Sequence, residues 1–164
     1  MDQVIKQQLL WTIRADRKRF DGIVATVPRE RLSEPILPGG WSVKDVLSHM
    51  AWGDHQGIGV IKARALVGSE LWDLSEDERN EAVVRQSRSR GIEEVLADYR
   101  AAFDDYISAI EELSEDELNE PDRFRGLPER IPGWRPWRVL YDPGHYDHHG
   151  RAISSALGQG IEAN

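Results

Sequence analysis

Apolar residues recur at helical spacing along most of this chain. Ile5, Leu9, Ile13, Phe20, Val24 and Val27 lie on one face of a predicted first helix, from about Asp2 to Val27, which Pro28 ends. A second helix opens at Ser42, where Ser42-Val43-Lys44-Asp45 reads as a capping box with Asp in the place of the usual Glu. Its stripe is Val43, Val46, Leu47, Met50, Ile58 and Ile61, and it extends to about Val67. Another box, Ser75-Glu76-Asp77-Glu78, starts a shorter helix, and Gly91 breaks the pattern. The third long helix spans Ile92 to Leu113, with Val95, Tyr99, Ala102, Tyr106, Ala109 and Leu113 on its apolar face. The last helix occupies part of Pro136 to Leu157. Pro143 and Gly144 interrupt it, so either the helix kinks or Asp142 caps a new one with Pro143 in its first position.

Two Pro/Gly-rich connectors separate these helices, and they resemble each other. Leu32-Ser33-Glu34-Pro35 matches Leu118-Asn119-Glu120-Pro121, and Pro38-Gly39-Gly40-Trp41 resembles Pro132-Gly133-Trp134. Trp41 to Leu47 then lies over Trp134 to Leu140, sharing Trp, Val and Leu. The shared order suggests a duplicated helix–connector–helix unit. No segment alternates with the period of a strand. The expected fold is all-α: a single domain over residues 1–164, built as a four-helix bundle with long crossover connectors and a short extra helix between helices 2 and 3.

Composition narrows the chemistry. The chain has 164 residues, 40% hydrophobic and 30% charged, enough for one ordinary core. It has no cysteine, which excludes disulfides, thiolate nucleophiles and Cys-type zinc sites. The formal net charge of −8 opposes binding to nucleic acid or anionic lipid. The densest basic stretch, Arg14, Arg17, Lys18 and Arg19, contains Asp16 and reads as a solvated helix face. No apolar run is long enough to span a membrane, and the N-terminus lacks a signal-peptide pattern, so the cytoplasm is the expected location. There is no Gly-rich phosphate loop, and no serine sits on a strand–helix elbow. The acidic face Glu76, Asp77, Glu78 and Glu81 reads as solvated surface. Trp41, Trp134 and Trp137 are expected to seal the connectors, while Trp52 is placed to wall a pocket near the histidines. Tyr146 is expected to face a neighbouring helix.

The histidines carry the most specific signal. There are five: His49, His55, His145, His148 and His149. His145 and His149 are i and i+4, a spacing that lets two imidazoles on one helix face converge on a metal. His148, at i+3, is the alternative second ligand. A site needs a third ligand, and His49, at the edge of the second helix's stripe, is the candidate. Gly53, one turn later, leaves room above the ring. Asp45, one turn earlier, either orients the imidazole or caps the helix, capping being the simpler role. His55 falls on the opposite edge and reads as surface. Three histidines leave one coordination position open, the catalytic pattern rather than the structural one. Such a donor set suits zinc, nickel, copper or iron(II).

Trp41-Ser42-Val43-Lys44-Asp45-Val46-Leu47-Ser48-His49, with His145-x-x-His148-His149-Gly150-Arg151-Ala152-Ile153 far downstream, resembles the DinB/YfiT-like superfamily of four-helix-bundle metalloenzymes. Asn80-Glu81-Ala82 with Glu93-Glu94-Val95-Leu96-Ala97-Asp98-Tyr99 is further similar to its ClbS/DfsB branch. The resemblance implies a metal triad of His49, His145 and His149 holding zinc or nickel, and a homodimer. It also implies activity on a small molecule, with low-molecular-weight thiols as partners in some members and isomerisation in others. In the ClbS/DfsB branch it implies hydrolytic opening of a cyclopropane warhead without need of the metal. Asp142-Pro143-Gly144 departs from the family pattern, where helix-forming residues precede the first histidine of the pair.

The leading functional expectation is an enzyme whose divalent metal activates water or a thiol against an electrophilic small molecule, as hydrolase or thiol transferase in detoxification. The alternatives are a metal-independent protective protein of the ClbS kind and a non-enzymatic dimeric bundle.

Overall fold

The computed structural model describes residues 3–67 and 73–158, and these are helical with no strand among them. The elements are α1 (Lys6–Val24), α2 (Val43–Ala63), α3 (Glu76–Ser87), α4 (Ile92–Glu112), α5 (Glu115–Asn119), α6 (Leu127–Arg130), α7 (Pro136–Leu140) and α8 (His145–Ala156). Single 3-10 turns at Arg29–Arg31, Pro38–Gly40 and Pro121–Arg123 punctuate the connectors. α2 runs against α4, α1 packs on α8 and α4, and α3 lies on α2. The result is an all-α bundle in which α3 is the short helix expected between the second and third long ones. None of the described helices is long and apolar enough to cross a membrane.

Local chemistry explains the helix starts. Ser42 and Asp45 close a reciprocal capping box, with Asp45 N donating to Ser42 Oγ (3.1 Å) and Ser42 N to Asp45 Oδ2 (2.8 Å). Ser75 with Glu78 and Ser114 with Glu117 repeat the device at α3 and α5. α2 stops at Ala63, short of Val67, because Arg64 takes a left-handed conformation and its backbone N–H returns to the carbonyls of Ile61 and Val60. The two connectors end alike: α2 begins two residues after Trp41, and α7 begins two residues after Trp134.

The apolar stripes bury as two clusters. One gathers Ile13, Ile61, Ile110, Leu113, Leu118 and Phe124, and the other Phe20, Val43, Val46, Leu47, Val95 and Ile153. Each such side chain contributes about 1.5–3 kcal/mol on leaving water. Glycines set two helix approaches. A Cβ on Gly57 would stand 2.6 Å from the Tyr106 ring, so α2 meets α4 closely there. A Cβ on Gly150 would stand 2.8 Å from Ile23 Cδ1, where α8 meets α1.

The interruption before α8 takes a third form, neither kink nor Asp142 cap. Residues 142–145 make a tight turn in which His145 N donates to Asp142 O (3.2 Å), with Gly144 at φ +97° and ψ −8°. Proline at the second position and glycine at positive φ in the third are the residues a type II turn requires. The turn separates α7 from α8 and makes His145 the first residue of the new helix.

Not all of the basic stretch is solvated. Arg14 pairs with Glu111 and Arg19 with Asp16, but Arg17 is buried. Its guanidinium lies 3.5 Å from the Tyr99 ring centroid and donates to Asp21 and to the Tyr99 carbonyl. The rings of Tyr99 and Phe103 on α4 receive the cation.

Candidate metal centre

α2 and α8 bring together three histidines from distant parts of the chain. His49 Nε2 lies 3.1 Å from His145 Nε2, and His149 Nε2 lies 3.1 Å from the same atom. All three nitrogens fall within 4.8 Å of one another. Zinc–imidazole bonds of about 2.0–2.1 Å in a tetrahedral site put ligand nitrogens roughly 3.3 Å apart, close to the two 3.1 Å separations, and the group's wider span of 4.8 Å closes by a small ring movement when one ion is shared. Hydrogen bonding does not account for it as well. Nε2 of a neutral imidazole carries one proton or one lone pair, and His145 Nε2 faces two other nitrogens at once. An ion accepting lone pairs from these rings would account for both close contacts at once.

Burial keeps these rings neutral. Desolvation, followed by the neighbouring His145, pulls His49 down to about 3, with Arg79 adding to the effect. His149 is likewise lowered to about 3 by burial and then by His145, His49 and His148. Burial also lowers His145, against the opposing pull of Asp142 and Glu76. Neutral rings present the lone pairs that a metal requires.

The three rings are held from several sides. The capping box fixes the start of α2 one turn below His49. Asp45 is consumed by that box, and His49 Nδ1 is buried without a hydrogen-bond partner. Asp45 therefore caps the helix and does not orient the ring. His149, not His148, is the α8 partner of His145 in the cluster. His148 is exposed, its ring centroid 5.2 Å from that of His149. Gly53 is also exposed, with open space where a Cβ would stand, so it makes no cradle for the site.

The aromatic wall belongs to Trp41. Its ring lies nearly parallel to His149 (6.5 Å, 13°) and edge-on to His49 (5.8 Å, 65°). Trp41 Nε1 donates to Glu81 Oε1 at 2.9 Å, tying α3 to the start of α2. A groove of about 380 Å³ opens between them, lined by Trp41, Asp77, Asn80, Glu81, His148 and His149 among others. Trp52 lines a different, smaller cavity with Ser48 and His55. Trp134 is 42% exposed and seals little. Part of the acidic face of α3 therefore turns toward the histidines, which its helical periodicity, read without a partner helix, did not indicate. Trp41 had a signal: it immediately precedes the cap of the helix that carries His49.

The remaining candidates sit elsewhere. His55 is exposed on α2 and paired with Asp98 Oδ1 at 2.7 Å. Tyr146 is buried against α1, 5.6 Å from Phe20 by ring centroids.

Fold and site together define a helical bundle with a three-histidine group between two of its helices. Residues 13–140 match the family described as the mycothiol maleylpyruvate isomerase N-terminal domain, and the chain belongs to that family. The family is a member of the DinB/YfiT-like superfamily. The matched region contains His49, while His145 and His149 lie just beyond it. No curated protein and no solved structure matches the chain.

Proposed function

We infer that this protein is a metal-dependent enzyme acting on an electrophilic small molecule, with a low-molecular-weight thiol as co-substrate. The observation that carries the reading is the clustering of His49, His145 and His149, with ring nitrogens within 4.8 Å of one another, beside a groove. A divalent ion held there, zinc or nickel, would lower the pKa of a bound thiol or water. The family's description names a thiol-dependent isomerase, which favours a thiol over water as nucleophile.

The protein's own residues do the rest. The three imidazoles, kept neutral by burial, would hold the ion through their lone pairs, and His149 lines the groove through which a ligand would reach it. Trp41 shields the rings from solvent on one side and presents an apolar face to a ligand in the groove. The thiol loses its proton to solvent, and with an activated aryl chloride its sulfur bonds to the ring carbon as the carbon–chlorine bond breaks and chloride leaves to solvent with the bonding pair. Asn80 and His148 offer hydrogen bonds to the substrate from the groove walls.

The test is elemental analysis of purified protein, followed by assay of thiol consumption with an activated aryl chloride. One equivalent of metal, and turnover that needs both metal and thiol, is the expected result. Folded protein that takes up neither zinc nor nickel on reconstitution overturns the reading.

A further inference from the structure

The groove beside the histidines has a charge of its own. Two carboxylates, Asp77 and Glu81, line it, and no lysine or arginine does so among the described residues. Glu81 is held in place by the Trp41 indole N–H, so its charge is fixed at the groove wall. Asp77 sits in the first turn of α3, exposed toward the opening. Two further charges bear on the neighbouring rings: Glu76 acts on His145 and Arg79 on His49. The chain's net charge of −8 deepens the negative field. A ligand approaching His149 through this groove passes both carboxylates.

We propose that the groove selects a thiol bearing a protonated amine and disfavours one bearing a carboxylate. This rests on the metal–thiol reading above and names the substrate class for that site. The histidine centre and the aromatic wall make the binding site, and Asp77 and Glu81 decide which charge enters it. Selection arises from like-charge repulsion and opposite-charge attraction across a short, partly desolvated gap. Exposed charge pairs are individually modest, so two carboxylates are expected to discriminate by about tenfold, less at high salt.

The experiment uses the full chain reconstituted with cobalt(II), whose thiolate charge-transfer absorption reports sulfur binding directly. Cysteamine, mercaptoethanol and mercaptopropionate form a cationic, neutral and anionic series of similar size. Each is titrated into wild type and into the Asp77→Asn/Glu81→Gln double variant, with affinities compared at equal thiolate concentration. Gln at 81 retains an acceptor for the Trp41 indole. Wild type is expected to bind cysteamine about tenfold tighter than mercaptopropionate, and the double variant to bring that ratio within about twofold of unity. Should the double variant misfold by circular dichroism, Asp77→Asn alone is expected to reduce the ratio about threefold. An equal ratio in wild type and variant, with the sulfur band present, overturns charge selection and leaves the metal–thiol reading standing. Absence of the band with all three thiols overturns that reading and this inference with it.

Discussion

His49 Nε2 and His145 Nε2 stand 3.1 Å apart although 96 positions of chain separate them. His49 comes from the capped first half of α2, and His145 is the first residue of α8. The contact exists because the 142–145 turn redirects the chain after α7. A helix continuing through Gly144 would carry the following imidazoles along a different axis.

Metal content checks the centre most directly. Wild-type protein reconstituted with zinc or nickel is expected to hold one equivalent per chain. The double variant His49→Ala/His145→Ala should retain less than about a tenth of an equivalent, since even loss of an outer-shell partner costs 10–100-fold in affinity. Its far-ultraviolet circular dichroism should remain helical. Full metal content in the variant would place the ion elsewhere.

Acid should destabilise the metal-free protein. His49 and His149 are each pulled from an ordinary 6.5 to about 3. Between those values the unfolded chain binds more protons than the folded one, so stability falls as pH drops from about 6.5 toward 3. Chemical denaturation should show a loss of roughly 3 kcal/mol or more between about pH 6.5 and pH 4. His49→Phe is expected to reduce that slope, and an unchanged slope would mean the rings titrate normally.

Asp54 should work in the opposite direction. It is buried on α2 with Oδ2 unpartnered, and desolvation pushes its carboxyl up to about 7, against the opposing Arg17 and His55 charges. Here the folded state binds the extra proton, so the contribution declines as pH rises from about 4 to 7. Asp54→Asn is predicted to be more stable than wild type at about pH 8, by roughly 2–4 kcal/mol less whatever Arg17 loses. The variant should also steepen the acid-side loss that the histidines cause. A variant less stable than wild type at pH 8 would show that Arg17 depends on the Asp54 charge.

Two glycines on α2 should behave differently. Gly57→Ala drives a methyl into the buried Tyr106 ring, whose hydroxyl donates to the Leu140 carbonyl. It is expected to cost about 1–3 kcal/mol. Gly53→Ala meets open space and should stabilise the helix by up to about 1 kcal/mol. Thermal melts of the pair test whether the closest α2–α4 approach lies at residue 57.

Much of the fold was legible because its signals are local. The capping boxes at Ser42 and Ser75 marked helix starts that the structure contains, since a cap is satisfied within four residues. Most residues of the stripes on α1, α2 and α4 are buried, Ile5 being an exposed exception, while the core also takes Leu10, Val60, Leu96, Ile107 and Ile110 from the same helices, which the stripes left out. The i,i+4 spacing placed His145 and His149 on one face before any partner was known. Arg64 and Gly144 were harder to read. Arg64 in a left-handed conformation has no residue-type signal, and the Pro143-Gly144 pair fits several interruptions equally well.

The amino-acid order alone therefore determined where helices begin, which faces are apolar and which imidazoles share a face, because these depend on spacing of a few residues. Tertiary packing decided the rest. It chose His149 over His148, set Trp41 rather than Trp52 against the rings, buried Arg17, and turned Asp77 and Glu81 toward the histidines. Each of those outcomes depends on the relative rotation of two helices, fixed by volume-filling contacts such as Gly150 against Ile23, which no single helix encodes.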